Sequence, residues 1–373
     1  MAGIYLHIPF CRQACHYCNF HFSTSRKYQG EMVEALLLEL ELQREYLAGA
    51  SLQSIYLGGG TPSLLTEREL SALFEKIYAL YAVTDTAEIT LEANPDDLTA
   101  AKVAELKRSP VNRLSIGVQS FFDEDLRFMN RAHDAREARA CIRLAQDAGF
   151  DKLTVDLIYG SPTTPDEHWR HNVQTLVELQ VPHLSCYALT VEPRTALAHF
   201  VASGKAAPVD EEQAARQFEW LMDAMAAAGY EHYEISNFAK PGWEAVHNGN
   251  YWRGQAYLGL GPSAHSFDGE SRQWNIAHNH RYLQSIAEGR VPFEREVLTP
   301  DDRYNEYVMT ALRTSWGVDL RHLQTMGEPY VHHFLTEASI FLERGHLLHL
   351  DQTFRLTRSG KLLADRIAAE LFF

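Results

Sequence analysis

Two rhythms of apolar residues alternate along the first two thirds of the chain. Short β-branched or apolar runs at residues 4–8, 54–57, 87–91, 113–118, 152–158 and 183–189, with a later one at 231–235, predict strands. Between them lie amphipathic stretches. Val33, Leu36, Leu37 and Leu40 repeat at i, i+3, i+4, i+7 inside residues 31–47, and 67–80, 100–107, 135–148, 166–179 and 211–228 carry helical patterns of the same kind. Thr66, Thr99 and Asp210 stand where helices start, and Gly149 and Gly229 where they stop. A strand about every 30 residues with a helix between is the rhythm of a parallel α/β sheet. Six or seven such units in about 235 residues predict a partial or complete (β/α) barrel, whose chemistry sits on the loops after the strands.

The rhythm stops near Lys240-Pro241-Gly242. Residues 241–300, rich in Gly, Asn, His and aromatics, read as an irregular extension packed on the 1–240 barrel. Residues 301–373 read as a smaller helical domain with a short hairpin near 346–356 and a last helix at 359–371, a winged-helix-like order. Winged helices often bind DNA, but this segment carries eight Lys and Arg against ten Asp and Glu, which favours a packing role.

Composition narrows the classes. With 46% hydrophobic and 22% charged residues the chain is globular, and a net charge of −15 opposes non-specific attraction to nucleic acid or anionic lipid. The first residues show no basic region followed by an apolar stretch, and no apolar run approaches the ~18 residues of a membrane span, which predicts a cytoplasmic protein.

Three of the five cysteines, Cys11, Cys15 and Cys18, fall within eight residues directly after the first predicted strand. Cys141 and Cys186 stand alone and read as core residues. Without an export signal such a cluster points to metal rather than to disulfides. Two centres fit. Zinc wants four protein ligands, the fourth being His7, His16 or His21. A [4Fe–4S] cluster takes one thiolate per iron, so three cysteines leave one iron open.

This spacing, with an aromatic residue just before the third cysteine, resembles the hallmark of the radical S-adenosylmethionine (SAM) enzymes. The resemblance implies that SAM chelates the open iron and is cleaved by an electron from the cluster. Gly58-Gly59-Gly60-Thr61-Pro62 follows the second strand; it lacks the residues of a P-loop or a dinucleotide fingerprint, and resembles the glycine motif that holds the SAM amino group. Glu92, Gln119, Arg131 and Asp156 lie near later strand ends. They supply the mixture a zwitterionic adenosyl ligand needs: a guanidinium for its carboxylate, carboxylates and amides for its ribose and ammonium.

A narrower likeness rests on Tyr5-Leu-His7-Ile-Pro9-Phe10-Cys11, the Gly-Gly-Gly-Thr-Pro run, Gly117-Val-Gln119-Ser and Asp156-Leu-Ile-Tyr-Gly160. Together these resemble the oxygen-independent coproporphyrinogen III oxidase family through nearly the whole chain. The resemblance implies a cluster on Cys11, Cys15 and Cys18, and a SAM site lined by Tyr5, Tyr17, Gly59, Gly60, Thr61, Glu92, Gln119, Arg131 and Asp156. Two departures stand out. The oxidases carry a fourth cysteine where this chain has Phe20, and a longer segment before the first cysteine. Both point instead to the heme-chaperone branch of the family, whose His-Asn-x-x-Tyr-Trp motif is present as His247-Asn248-Gly249-Asn250-Tyr251-Trp252.

That likeness implies heme as ligand, with His247 as axial donor and Tyr251 and Trp252 as flat apolar surface. His265, His278 and His280 are rival donors. The implied partners are an acceptor protein for heme and an electron donor for the cluster, with no nucleic acid, and membrane contact only through the acceptor. Porphyrinogen decarboxylation is the alternative activity.

Overall fold

The computed structural model describes residues 1–373. Strands β1 (Ala2–Ile8), β2 (Leu52–Gly59), β3 (Val83–Ala93), β4 (Arg113–Gln119), β5 (Lys152–Tyr159) and β6 (His183–Ala188) alternate with helices. β7 (Glu231–Glu234), β8 (Asn237–Ala239), β9 (Ala256–Leu260), β10 (His265–Phe267), β11 (Ser271–Asn275) and β12 (Phe293–Val297) complete one sheet. Its order is β12-β11-β10-β9-β1-β2-β3-β4-β5-β6-β8-β7. β1 to β6 run parallel, β9 joins them parallel to β1, and both margins are antiparallel. The result is the expected partial barrel, open rather than closed.

Residue alternation explains what each face does. On β1 to β4 every second side chain is aliphatic and fully buried: Ile4, Leu6, Ile55, Leu57, Ile89, Leu91, Leu114 and Ile116. They pack outward under helices that contribute Leu36, Leu40, Leu73 and Ile77. The intervening residues, such as Tyr5, Ser54, Tyr56, Glu88, Glu92 and Arg113, line the inner face, where Tyr56 bonds Glu92, Arg113 pairs with Glu88 and Tyr5 stacks on Tyr56. A parallel sheet covered on both faces reads as continuous apolar runs. This one is dry outside and polar inside.

Helix starts agree with the expected signals. Thr66 and Glu69 form a reciprocal capping box, Thr99 and Asp210 cap with their side chains, and Gly149 and Gly229 take positive φ past helix ends. Three expectations change. The first helix is Gln29–Leu42 and does not reach residue 47: beyond Gln43 the chain tightens into turns, with Arg44, Tyr46 and Ala48 N–H bonding three residues back. The last is interrupted into Arg358–Lys361 and Ala364–Glu370, with Leu363 outside helical geometry.

The third correction concerns residues 241–300, which are not irregular. They hold the helices Val246–Trp252 and Asn279–Ala287 and four strands. β9 buries Leu258 and Leu260, but β11 escapes an apolar-run reading because its buried residues are polar: Ser271, Gln273 and Asn275. Gln273 bonds Gln43, Ser271 bonds Asp268, and Asn275 reaches Glu39, wholly buried on the first helix. It accepts from Tyr282, Asn275, Gln43 and the Gly261 N–H, and burial pushes its carboxyl up to about 7.

The C-terminal part has a core of its own, built around Tyr304, Phe334, Phe354 and Ile367. A small sheet of β13 (Val318–Asp319), β14 (Leu347–Leu350) and β15 (Thr353–Leu356) lies beside its helices, in the order β13-β15-β14. Arg313 ties this part to the barrel through Glu234 at 3.3 Å.

Candidate cluster, SAM and heme sites

The loop after β1 carries all three clustered cysteines, each half-buried and free. Burial pushes the Cys11 thiol up to about 11 and Cys18 upward, while Arg131 pulls both back. Any metal centre here must therefore displace protons. The loop is pinned at both ends. Cys11 N–H donates to Ser23 O at 3.0 Å, and His16 N–H to Met129 O at 3.1 Å.

Two observations separate the candidate centres. No three His, Cys, Asp or Glu side chains converge on a point where they would hold one ion. His7 bonds Tyr5 and the His21 carbonyl through its two ring nitrogens, His16 bonds the Phe128 carbonyl, and His21 bonds Asn279. Zinc needs convergence and a fourth donor. A cubane takes each thiolate on a different iron, so its sulfurs stand apart. The donor set fits the cluster better than a single ion.

Arg131 is the centre of the surroundings. Its Nη1 reaches Cys15 Sγ at 3.1 Å, and its Nη2 donates to Asn94 Oδ1 and Gly117 O, both at 2.6 Å. Its Nε is buried without a partner. That orphaned donor faces no protein acceptor and suits an anionic ligand group beside the cysteines. Nη1 and Nη2 are already engaged, so the fork expected for a carboxylate narrows to the Nε edge.

The glycines serve a different end from the one their motif suggests. A Cβ on Gly59 would lie 2.4 Å from His7 Nδ1, and one on Gly60 2.6 Å from Ile8 O. Gly59 N–H donates to Glu92 Oε2, Gly60 N–H to Ile8 O, and Thr61 N–H to Phe10 O. The amide protons are thus committed to the protein. An ammonium, itself a donor, needs acceptors, so only carbonyls of this turn can meet it. Thr61 also accepts from Asn94, and its N–H bond to Phe10 O, the residue before Cys11, ties the glycine turn to the cysteine loop.

Glu92 accepts from Tyr56 Oη at 2.7 Å, and burial raises its pKa. Asp156, opposite Gly117 on β5, is pushed up to about 7 by burial and then by Glu92. Two carboxyls with no bonded cation therefore face one space, an environment for a cationic ligand. Gln119 sits at a bulge with φ +70° and makes no side-chain hydrogen bond to protein. Tyr17 packs against Met129, Ile158, Leu189 and Leu197, and burial raises its phenol. Tyr5 stacks on Tyr56 at 6.0 Å. Gly59, Gly60, Thr61, Glu92 and Gln119 thus stand at or just past the C-terminal ends of β2 to β4, where Arg131 reaches Gly117 O, while Tyr5 and Asp156 lie mid-strand and Tyr17 packs apart on the cysteine loop.

Beside the cysteines opens a cavity of about 640 Å³ between their loop and residues 192–196. Phe20, where the resemblance places the oxidases' fourth cysteine, is 68% exposed at its rim.

The heme candidates do not come together. Helix Val246–Trp252 crosses the N-terminal end of the barrel from β2 and β3 toward β7. His247 lies on the inner face, 5.0 Å from the Tyr56 ring, its Nδ1 2.9 Å from Ser54 Oγ and its N–H 3.0 Å from Glu88 Oε1. Burial holds its pKa down to about 4, so the imidazole is neutral and able to ligate. Tyr251 emerges one turn later, 45% exposed beside Tyr257. The cavity these two share measures about 10 Å³, about one water and far below a macrocycle. Trp252 donates to Asn248 and lies under Arg313. His265, His278 and His280 are exposed, and His278 Nδ1 caps a helix.

The sequence reading passed over Ser54, Tyr56, Glu88, Arg113 and Asn94. All but Asn94 carry one signal, a polar residue at every second place of an otherwise aliphatic strand.

A family model described as the radical SAM superfamily matches residues 5–176, and one described as the HemN C-terminal domain matches residues 298–363. The heme chaperone HemW of Bacillus subtilis is 35% identical over 98% of this chain and 98% of its own. That of Escherichia coli is 34% identical over 99% and 97%. Among solved structures, the coproporphyrinogen III oxidase HemN of Escherichia coli superposes with a TM-score of 0.86 at 24% identity, covering 100% of this chain and 90% of that one. This last likeness concerns the fold alone.

Proposed function

The chain belongs to the HemW family of radical SAM proteins, and on that premise we propose that it binds heme and hands it to an acceptor protein. The observation that carries the reading is membership over essentially the full length, with the cluster, SAM and heme segments all included. The reading places a [4Fe–4S] cluster on Cys11, Cys15 and Cys18, and SAM among Tyr5, Tyr17, Gly59, Gly60, Thr61, Glu92, Gln119, Arg131 and Asp156. A cluster with one open iron supplies one-electron chemistry to a ligand bound there.

The chain's own residues do the rest. Arg131 would offer its free Nε to the ligand carboxylate, and carbonyls of the glycine turn would accept from its ammonium. Glu92 and Asp156 would balance its positive charge. Neutral His247 would serve as axial donor to heme, with Tyr251 and Trp252 forming a contact apart from it. No helix is long and apolar enough to cross a membrane, in keeping with a cytoplasmic site of action and membrane contact only through an acceptor. An electron donor for the cluster completes the partners.

The test is an anaerobic heme titration of cluster-reconstituted protein, wild type against His247→Ala, followed in the Soret region. Saturation near one heme per chain, strongly weakened in the variant, is the expected result. Absence of saturable binding, together with carbon dioxide release from coproporphyrinogen, would replace the reading with the oxidase activity.

A further inference from the structure

Resting on the cluster reading above, we propose that Asn94 is a positioning residue that holds the Arg131 guanidinium on the Cys15 sulfur, so that an N–H···S hydrogen bond raises the reduction potential of a cluster bound there. Three observations carry this.

The first is the bond itself. Arg131 Nη1 donates to Cys15 Sγ at 3.1 Å. Hydrogen bonds to cluster sulfurs help set a potential, because a donor stabilises the sulfur more once an electron has been added.

The second is the way Asn94 fixes the guanidinium. Arginine has only donors, so the 2.6 Å contact from its Nη2 requires the amide oxygen of Asn94 there. That leaves Asn94 Nδ2 to donate to Thr61 Oγ1 at 3.1 Å, and Thr61 N–H reaches Phe10 O beside Cys11. The same Nη2 donates to Gly117 O. A Cβ on Gly117 would lie 3.2 Å from Nη2 and 3.6 Å from Asn94 Oδ1, so the missing side chain gives the pair room. With Nη1 on sulfur and Nη2 on two oxygens, the plane of the guanidinium is set, and Nε alone remains for a ligand.

The third is that both residues stand on backbone fixed locally. Asn94 follows β3 and precedes Pro95, which holds it extended at φ −94° and ψ 151°. The turn Pro95–Asp97 is clasped in its own right, since Ser63 Oγ and Arg12 both reach the Asp97 carboxylate. Arg131 comes just after the helix Asp123–Phe128, where Asn130 at φ +56° turns the chain and the Arg131 N–H returns to Leu126 O at 2.8 Å. Asn130 Nδ2 also donates to Ala14 O, so one segment holds the cysteine loop and delivers the guanidinium to it.

The experiment is a redox titration without SAM, at one pH, of cluster-reconstituted wild type, Asn94→Ala, Arg131→Met, the double variant and Ser63→Ala. It is followed by electron paramagnetic resonance, with iron content and melting temperature as controls for folding. Asn94→Ala should lower the ratio of reduced to oxidised cluster at a fixed potential about tenfold, equivalent to about 59 mV for one electron. Arg131→Met should lower it further, and the double variant should fall no lower than Arg131→Met, because Asn94 acts through the arginine. Ser63→Ala, which loosens the same turn without touching Arg131, should leave the potential where it is. An unshifted potential in Asn94→Ala, an equal shift in Ser63→Ala, or additive shifts in the double variant would each overturn the proposal. Wild type supplies a second reading that needs no variant to fold. The iron–sulfur stretches of its resonance Raman spectrum should move on exchange into heavy water, and unmoved stretches would overturn the N–H···S bond. Wild type that builds no cluster on reconstitution would remove the cluster reading itself.

Discussion

At the C-terminal end of the barrel, functional side chains arrive on loops and strand ends, and several stand without a full set of partners. Arg131 keeps an orphaned Nε, the Gln119 side chain makes no hydrogen bond, and Glu92 and Asp156 have raised pKa values with no bonded cation. At the N-terminal end the picture inverts. Glu88 is paired with Arg113, His247 with Ser54, and His183 and Asn248 both with Tyr233, and only His183 Nδ1 and Asn250 Nδ2 stay buried there without a partner. Unfilled bonding capacity marks where a ligand would have to complete the structure, and filled capacity marks where the protein completes itself. The floor of the barrel is chiefly a support, braced by the buried Glu88–Arg113 pair.

The largest effect that would sharpen this contrast belongs to the upper end. Cys15→Ala should abolish the cluster, read as loss of its visible absorbance on reconstitution, while the melting temperature moves by no more than about 3 °C. Collapse of the fold would mean that the cysteine loop is structural and that the two ends do not differ as described.

Next in size is the floor. Arg113→Met leaves Glu88 buried without its cation and should cost about 3–5 kcal/mol in urea unfolding. A loss under about 1 kcal/mol would show that the lower end is not self-completing.

The smallest effect is a pH dependence at the upper end. The Asp156 carboxyl is raised from its ordinary 3.8 to about 7, so the folded protein binds a proton there that the unfolded chain has already released. Its contribution is fully present below about pH 4 and is lost as pH rises through about 7. Asp156→Asn should flatten that part of the stability profile by about 2 kcal/mol, a figure reduced for water that reaches the carboxyl. An identical profile in the variant would place a cation or strong donor beside Asp156 already.

Legibility in the sequence follows the same division. The upper end could be read because a residue at the end of a predicted strand has nowhere to go but the rim of the barrel, whatever its neighbours. Cys11 and Glu92 could be placed from the strand rhythm, whereas Arg131, which lies beyond the helix Asp123–Phe128, and the grouping of these residues with Asp156 into one site rested on the family resemblance. The lower end could not, because His247, Tyr251 and Trp252 sit on a seven-residue helix whose docking decides which of them is covered. Spacing alone left them one site. The antiparallel margin was hidden for another reason: β11 buries Asn275 against Glu39, Gln273 against Gln43 and Ser271 against Asp268, and polar burial leaves no apolar pattern to find.

One neighbour relation reaches beyond the finished molecule. β1 lies between β2 and β9, and β9 begins about 250 residues after it. At ribosomal speeds of about 5–20 residues per second, the first strand waits on the order of 12–50 s for its second partner to be made. Meanwhile its edge is open, and so is the cysteine loop that follows it, whose His21 waits still longer for Asn279. Long-range pairing of this kind is slow to form. The nascent chain thus passes through a stage in which its cysteines are accessible, its sheet is incomplete and an unpaired edge is exposed to other chains. Loading of the cluster and escape from aggregation are set against the same clock.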